Sequence, residues 1–140
     1  MKSPKALLPI LVMASSLANA AQPEPTMEHP GEHPVYELRQ YTLHPGKRDV
    51  LIGLFEDRFI EALERDGMQV PAHFRDLDNA DRFVWFRRFD DMESRGRALP
   101  AFYREDPVWQ QYRDDANATM VDSDNVLLLR EAWPGSGFAA

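Results

Sequence analysis

The chain is 140 residues long, 44% hydrophobic and 28% charged, with a formal net charge of −7 at pH 7. That length suits one domain around one core, and 16 basic against 23 acidic side chains argue against nucleic acid or an anionic membrane surface as partner. The absence of cysteine excludes disulfides and thiol chemistry.

Residues 1–20 read as a secretion signal. Lys2 and Lys5 lead into an apolar run from Ala6 to Leu17, and Ala18-Asn19-Ala20 places small residues where a signal peptidase reads. The run is shorter than the roughly 20 apolar residues a membrane span needs. Export to the periplasm or the extracellular space is therefore expected, with cleavage near Ala20 and no membrane attachment afterwards. Loss of the two lysines makes the rest more acidic still. Residues 21–34 hold four prolines and no hydrophobic period, the composition of an extended tether. His29 and His33 lie in it beside Glu28 and Glu32, a ligand set that suits zinc or copper. Pro30 and Gly31 forbid the helix that would align them, so these histidines are at most a weak metal site. No cofactor is expected.

The domain proper is expected over residues 35–132, with a patternless tail at 133–140. Val35 to Leu43 alternates like a strand and stops at Pro45-Gly46. Glu37, Arg39 and Tyr41 share one face of it. An acid, a base and a phenol in a row do not sit unpaired in a core, so that face is either solvated or lines a polar cavity.

Lys47 to Asp66 carries Leu51, Leu54, Phe55, Phe59, Ala62 and Leu63 at helical spacing, with Ile60 off the apolar arc and Gly67 as a natural terminator. Met68 to Arg75 reads as a second strand that Pro71 confines to an edge or a bulge. Asp76 to Asp81 is turn chemistry. Arg82 to Phe89 is a third strand, with Phe83, Trp85, Arg87 and Phe89 on one face. Asp90 can cap the next helix, with Glu93 closing a capping box, and Pro100 should kink or break that helix. Asp106-Pro107 starts another, with Val108, Trp109, Tyr112, Ala116 and Met120 as its apolar stripe. Asp122 to Asn125 reads as a turn, and Val126 to Ala132 as the fourth strand.

The order β-α-β-β-α(α)-β is that of the ferredoxin-like sandwich, an α+β fold with a four-stranded antiparallel sheet and helices on one face. A half-covered sheet bearing Tyr41, Phe83 and Trp85 would expose a large apolar patch. A second copy packed face to face covers it, and the expectation is a homodimeric barrel with a cavity between the two sheets.

Tyr36 to Gly46 (Y-E-L-R-Q-Y-T-L-H-P-G) resembles the opening strand of NIPSNAP-domain proteins. His73 to Met92 resembles the second hairpin of that family; Ala101 to Tyr103, Asp106 to Trp109 and Ser123 to Leu129 resemble its closing helix and strand. The resemblance implies a dimeric α+β barrel built of ferredoxin-like halves. Members elsewhere are linked to organelle and vesicle trafficking; no family catalytic motif carries over to these positions. The chain departs from the family pattern in its secretion signal, its His- and Pro-rich tether and Pro100.

The cavity candidates are Glu37, Arg39 and Tyr41 with His73 and Arg75 as a polar wall, and Phe83 and Trp85 as an apolar one. Arg39 would receive a carboxylate or enolate oxygen, and Glu37 or His73 could serve as a base. The favoured reading of these residues is nonetheless structural, a Glu37–Arg39 pair that is satisfied internally and fixes strand pairing or the dimer interface. Trp109 and Tyr112 read as core. No glycine-rich phosphate loop, Gly-x-Ser-x-Gly elbow or His-Glu-x-x-His pattern is present. Three functions suit this pattern: a binder of a small, possibly anionic organic molecule; a cofactor-independent monooxygenase- or isomerase-like enzyme; and a non-catalytic interaction module. Binding without chemistry is preferred over catalysis.

Overall fold

The computed structural model describes residues 33–138; the expected signal segment, most of the expected tether and His29 lie outside the described residues. Four antiparallel strands form one sheet in the order β2-β3-β1-β4. β1 (Val35–Leu43) is central and pairs with both β3 and β4. At its end Gly46 takes φ 77°, a conformation that only glycine adopts without penalty, and its N–H donates to Asp81 Oδ1 at 3.1 Å.

The first helix, α1, runs Arg48–Leu54, widens into a π-helical turn over Phe55–Phe59 and continues as Ile60–Arg65. Gly67, at φ 98°, ends it. Ile60 packs partly buried against the core, because the extra residue of the π-turn rotates the rest of the helix about its axis. β2 (Gln69–Arg75) lies at the sheet edge, with a register shift between Gln69 and Ala72 around Pro71. β3 is Arg82–Phe89.

The second helix, α2, spans Met92–Pro100 and widens into another π-turn over Ala101–Glu105. Asp91, not Asp90, is its cap, accepting from the Ser94 N–H at 2.7 Å; the Asp90 carboxylate is instead engaged by Arg88 at 3.0 Å. Pro100 does not break the helix, since the backbone accommodates it at the entry to the wider turn. α3 (Pro107–Ala118) begins as expected, with Asp106 accepting from the Val108 N–H at 2.8 Å. β4 is Met120–Arg130, so Asp122 to Asn125 belongs to a strand and not a turn. The turn-forming chemistry is nonetheless used: Asp122 Oδ1 accepts from the Asp124 N–H at 2.8 Å, beside register shifts opposite Gln40, Thr42 and Leu43.

The helices cover one sheet face only, and it is the face bearing Glu37, Arg39, Tyr41, Phe83, Trp85, Arg87 and Phe89. There Phe83 and Phe89 are buried among Leu51, Phe55, Phe59, Leu63 and Phe102. The expectation that Tyr41, Phe83 and Trp85 face a second sheet is therefore corrected: α1, α2 and α3 of the same protomer cover them. The open face carries Leu38 opposite Phe86 and Leu127, with Phe74, Leu127 and Leu129 exposed. Both faces of the sheet are apolar, so alternation alone does not distinguish inside from outside. Among the described residues no helix is long and apolar enough to cross a membrane.

Candidate functional site

A cavity of about 160 Å3 lies between the sheet and the helices. Arg39, Tyr41 and Trp85 form its floor on β1 and β3. Leu51, Phe55, Phe59 and Leu63 of α1 and Phe102 and Tyr103 of the second π-turn form its walls, and Trp109, Asn117, Met120 and Ser123 close it. Both π-turns face the cavity. An α-helix presents residues at fixed intervals, and the wider turn swings its aromatic side chains inward.

The strand register brings Glu37 opposite Arg87, Arg39 opposite Trp85, and Tyr41 opposite Phe83. Glu37 is fully buried. Its Oε1 accepts from Arg39 Nη1 and, at 2.8 Å, from Arg87 Nε; its Oε2 accepts from Arg95 Nε of α2 at 2.8 Å. Burial alone would raise the Glu37 pKa. The charge of Arg87, the hydrogen bond from Arg95 and the charge of Arg39 outweigh it and hold the carboxyl below the ordinary carboxylate range. Among the described residues Glu37 is the only carboxylate paired with these three guanidiniums. The cluster thus keeps a surplus of positive charge, and Arg39 carries it to the cavity wall.

The arginines also organise two phenols. Arg39 Nε donates to Tyr41 Oη at 3.1 Å, and Arg87 Nη1 donates to Tyr103 Oη at 2.8 Å. Each phenol oxygen accepts from a cation, which leaves its own proton to donate elsewhere. Burial, followed by the neighbouring Tyr103, pushes the Tyr41 phenol up, so it stays protonated. Burial works against the Arg39 cation, but Tyr41, Tyr103 and Glu37 outweigh it and hold its pKa above the ordinary value. The guanidiniums of Arg39 and Arg87 lie 5.8 and 5.4 Å from the Trp85 ring centroid, within cation–π range. Trp85 is buried, and its indole Nε1 has no hydrogen-bond partner among the described residues.

Of the residues expected at the site, Arg39, Tyr41 and Trp85 line the cavity. Glu37 stands behind it as the counter-ion of the arginines. Phe83 lies beneath, packed on Phe55 at 5.2 Å between centroids. His73 and Arg75 are directed elsewhere: His73 Nε2 meets Glu56 at 2.9 Å and Arg75 meets Asp49 at 2.5 Å, both on the exposed flank of α1. The expected polar wall of His73 and Arg75 is thus replaced by Tyr103, Asn117 and Ser123. Sequence reasoning misses Arg87, Arg95 and Tyr103 as site residues. Arg87 is legible on the Trp85 face of β3, but its pairing with Glu37 requires the inter-strand register. Trp109, core by its helical spacing, is in part a cavity wall. Neither expected base lines the cavity, since Glu37 is committed to three cations and His73 to Glu56. Among the described residues, which include His33, no three His, Asp or Glu side chains are placed to hold a metal ion.

The NIPSNAP family profile matches residues 36–133. Among solved structures, the chain is similar to a NIPSNAP-family protein of unknown function from Agrobacterium tumefaciens, with TM-score 0.63 and 18% identity over 71% of this chain and 88% of that one. It is also similar to a NIPSNAP-like domain protein from Burkholderia xenovorans, with TM-score 0.59 and 23% identity over 70% and 84%. A putative antibiotic biosynthesis monooxygenase from Chloroflexus aurantiacus shares the fold, with TM-score 0.55 and 18% identity over 76% and 99%. No curated protein sequence matches the chain.

Proposed function

The chain belongs to the NIPSNAP family, and from that premise and the cavity we propose that it is an exported homodimer that holds a small anionic organic molecule between its sheet and helices. One observation carries the ligand: three guanidiniums converge on a single buried carboxylate, and one of them, Arg39, forms part of the cavity wall. An anion there offsets charge that Glu37 alone leaves unbalanced, in surroundings where screening by water is weak. The signal-like pattern of residues 1–20, two lysines, an apolar run and Ala18-Asn19-Ala20, supports export.

The open sheet face supports a second copy. Phe74, Leu127 and Leu129 are exposed on it, in an arrangement unusual for a monomer. The tail covers one end of that face, where Phe138 packs on Phe86 at 4.8 Å. The Chloroflexus neighbour suggests an alternative, a monooxygenase-like reaction. The geometry favours binding, because neither Glu37 nor His73 is placed to take a proton from a molecule in the cavity.

Native mass spectrometry on the protein purified from its own host tests the reading. A dimer carrying a discrete extra mass is expected. A clean dimer removes the ligand, a monomer removes the assembly, and recovery from the cytoplasm with residues 1–20 intact removes export. Arg39→Leu leaves Glu37 paired with Arg87 and Arg95, so the variant is expected to fold and to lose the extra mass. Full retention of that mass by a folded variant would sink the proposal.

A further inference from the structure

We infer that the molecule held in the cavity is a single-ring aromatic carboxylate, of the benzoate class, with its oxygens received by Arg39, Tyr41 and Tyr103. The inference rests on the proposal that the cavity is a ligand site, and it adds size, shape and polarity.

Size comes first. A volume of about 160 Å3 is close to the roughly 150 Å3 of an engineered cavity that holds benzene. One ring with a short substituent fills that volume. The walls then favour a flat ring over an aliphatic one. Phe102 and Tyr103 meet at 88°, Tyr103 and Trp109 at 88°, and Phe59 and Phe102 at 84°. This edge-to-face lattice offers a further ring the geometry that aromatic pairs prefer.

Polarity narrows the class. The cavity floor is rich in donors. Arg39 brings a cation, and the Tyr41 and Tyr103 oxygens already accept from arginines, which leaves their protons to give. A carboxylate supplies two oxygens with lone pairs enough for these donors and a charge opposite to the surplus of the arginine cluster. A neutral ring leaves the donors unmet, and a cationic one is repelled by Arg39.

The test titrates the mature protein with benzoate, toluene, benzylammonium, acetate and cyclohexanecarboxylate, by calorimetry and by the indole N–H resonance of Trp85. Benzoate is expected to bind saturably, to shift that resonance, and to bind at least about tenfold more tightly than toluene, the worth of one charge-assisted hydrogen bond. Benzylammonium and acetate are expected not to bind. Arg39→Leu should reverse the preference between benzoate and toluene. Tyr103→Phe, which keeps the ring and removes only the hydroxyl, should weaken benzoate several-fold and leave toluene unchanged. Toluene binding as tightly as benzoate overturns the acceptor requirement, and cyclohexanecarboxylate matching benzoate overturns the aromatic one. If none of the five binds while native mass spectrometry still shows an extra mass, the class is wrong and the ligand site stands. If none binds and the mass is clean, both fall.

Discussion

Glu37, at the centre of β1, accepts a hydrogen bond from Arg95 of α2 at 2.8 Å, so one fully buried carboxylate ties the sheet to the helix that leads into the cavity wall. The same carboxylate holds Arg87 and Arg39. A buried ion pair adds little net stability over apolar packing, whereas removing one member leaves the other uncompensated. Glu37→Gln keeps the shape and removes the anion, stranding three guanidiniums. A loss of about 3–5 kcal/mol is expected in urea unfolding; a loss below about 1 kcal/mol would mean that water or an anion takes its place.

The same residue sets an acid limit. Its pKa in the folded protein lies below the ordinary value of 4.5, so the stability it brings is fully present above that value. It is lost as pH falls through the lowered folded value. The difference in unfolding free energy between wild type and Glu37→Gln should be flat from pH 8 to 5 and shrink below about 4.5. A difference that shrinks instead on the alkaline side would contradict the assigned ion pairs.

Asp66 works in the opposite direction. Burial, then a hydrogen bond to Asp106 and the charge of Asp106, push its carboxyl from 3.8 up to about 7. The folded state therefore binds a proton more tightly than the unfolded chain does. The associated stability is present below 3.8 and is lost as pH rises through about 7. Asp66→Asn, which can still donate to Asp106, should be neutral near pH 4 and stabilising near pH 8. The gain, on the order of 1 kcal/mol for a group partly screened by solvent, is read from thermal or urea midpoints across that range. An unchanged pH profile would show that the two carboxyls titrate independently.

Gly67 closes α1 at φ 98°, and a Cβ built there meets only Ala98 Cβ, at an ordinary 3.7 Å. The cost of Gly67→Ala is thus conformational and not steric, about 1–2 kcal/mol. Gly67→Asn, which tolerates the left-handed region better, should cost less. Equal losses for the two variants in urea unfolding would point to an unrecognised packing role.

On the open face, Leu38 of β1 sits between Phe86 of β3 and Leu127 of β4. Leu127→Asp places a charge in the middle of any sheet-to-sheet contact. The dimer proposed above should weaken at least about a hundredfold by sedimentation equilibrium while the far-ultraviolet circular dichroism stays unchanged. A dimer of unaltered strength would move the interface to another surface.

Most of the architecture is legible in the sequence because it rests on local periodicity. The alternation in Val35–Leu43 and Arg82–Phe89, the glycine after α1 and the Asp106-Pro107 start all carry their signal within a few residues. The family resemblance, read from the same stretches, is borne out by the profile match over residues 36–133. The features that escape the sequence depend on relations across space. Glu37 and Arg87 are both visible as strand residues, yet only the register of β1 on β3 brings them together. Arg95 reaches Glu37 because of where α2 lies over the sheet, which no helical period encodes. His73 lies on β2 as expected, and a nearby acid on α1, Glu56, engages it outside the cavity. Asp122 to Asn125 has turn composition, but β1 offers it a partner strand, and pairing prevails over local preference.

Two of the three helices that enclose the cavity widen where they face it, over Phe55–Phe59 and Ala101–Glu105. A π-turn amounts to one inserted residue absorbed by a wider turn, and deleting that residue restores α geometry while the helix on either side keeps its face. The interior of this fold can therefore be resized without altering a strand. Loss of a single codon within either turn changes which aromatic side chains look inward, while the arginine cluster beneath keeps its place.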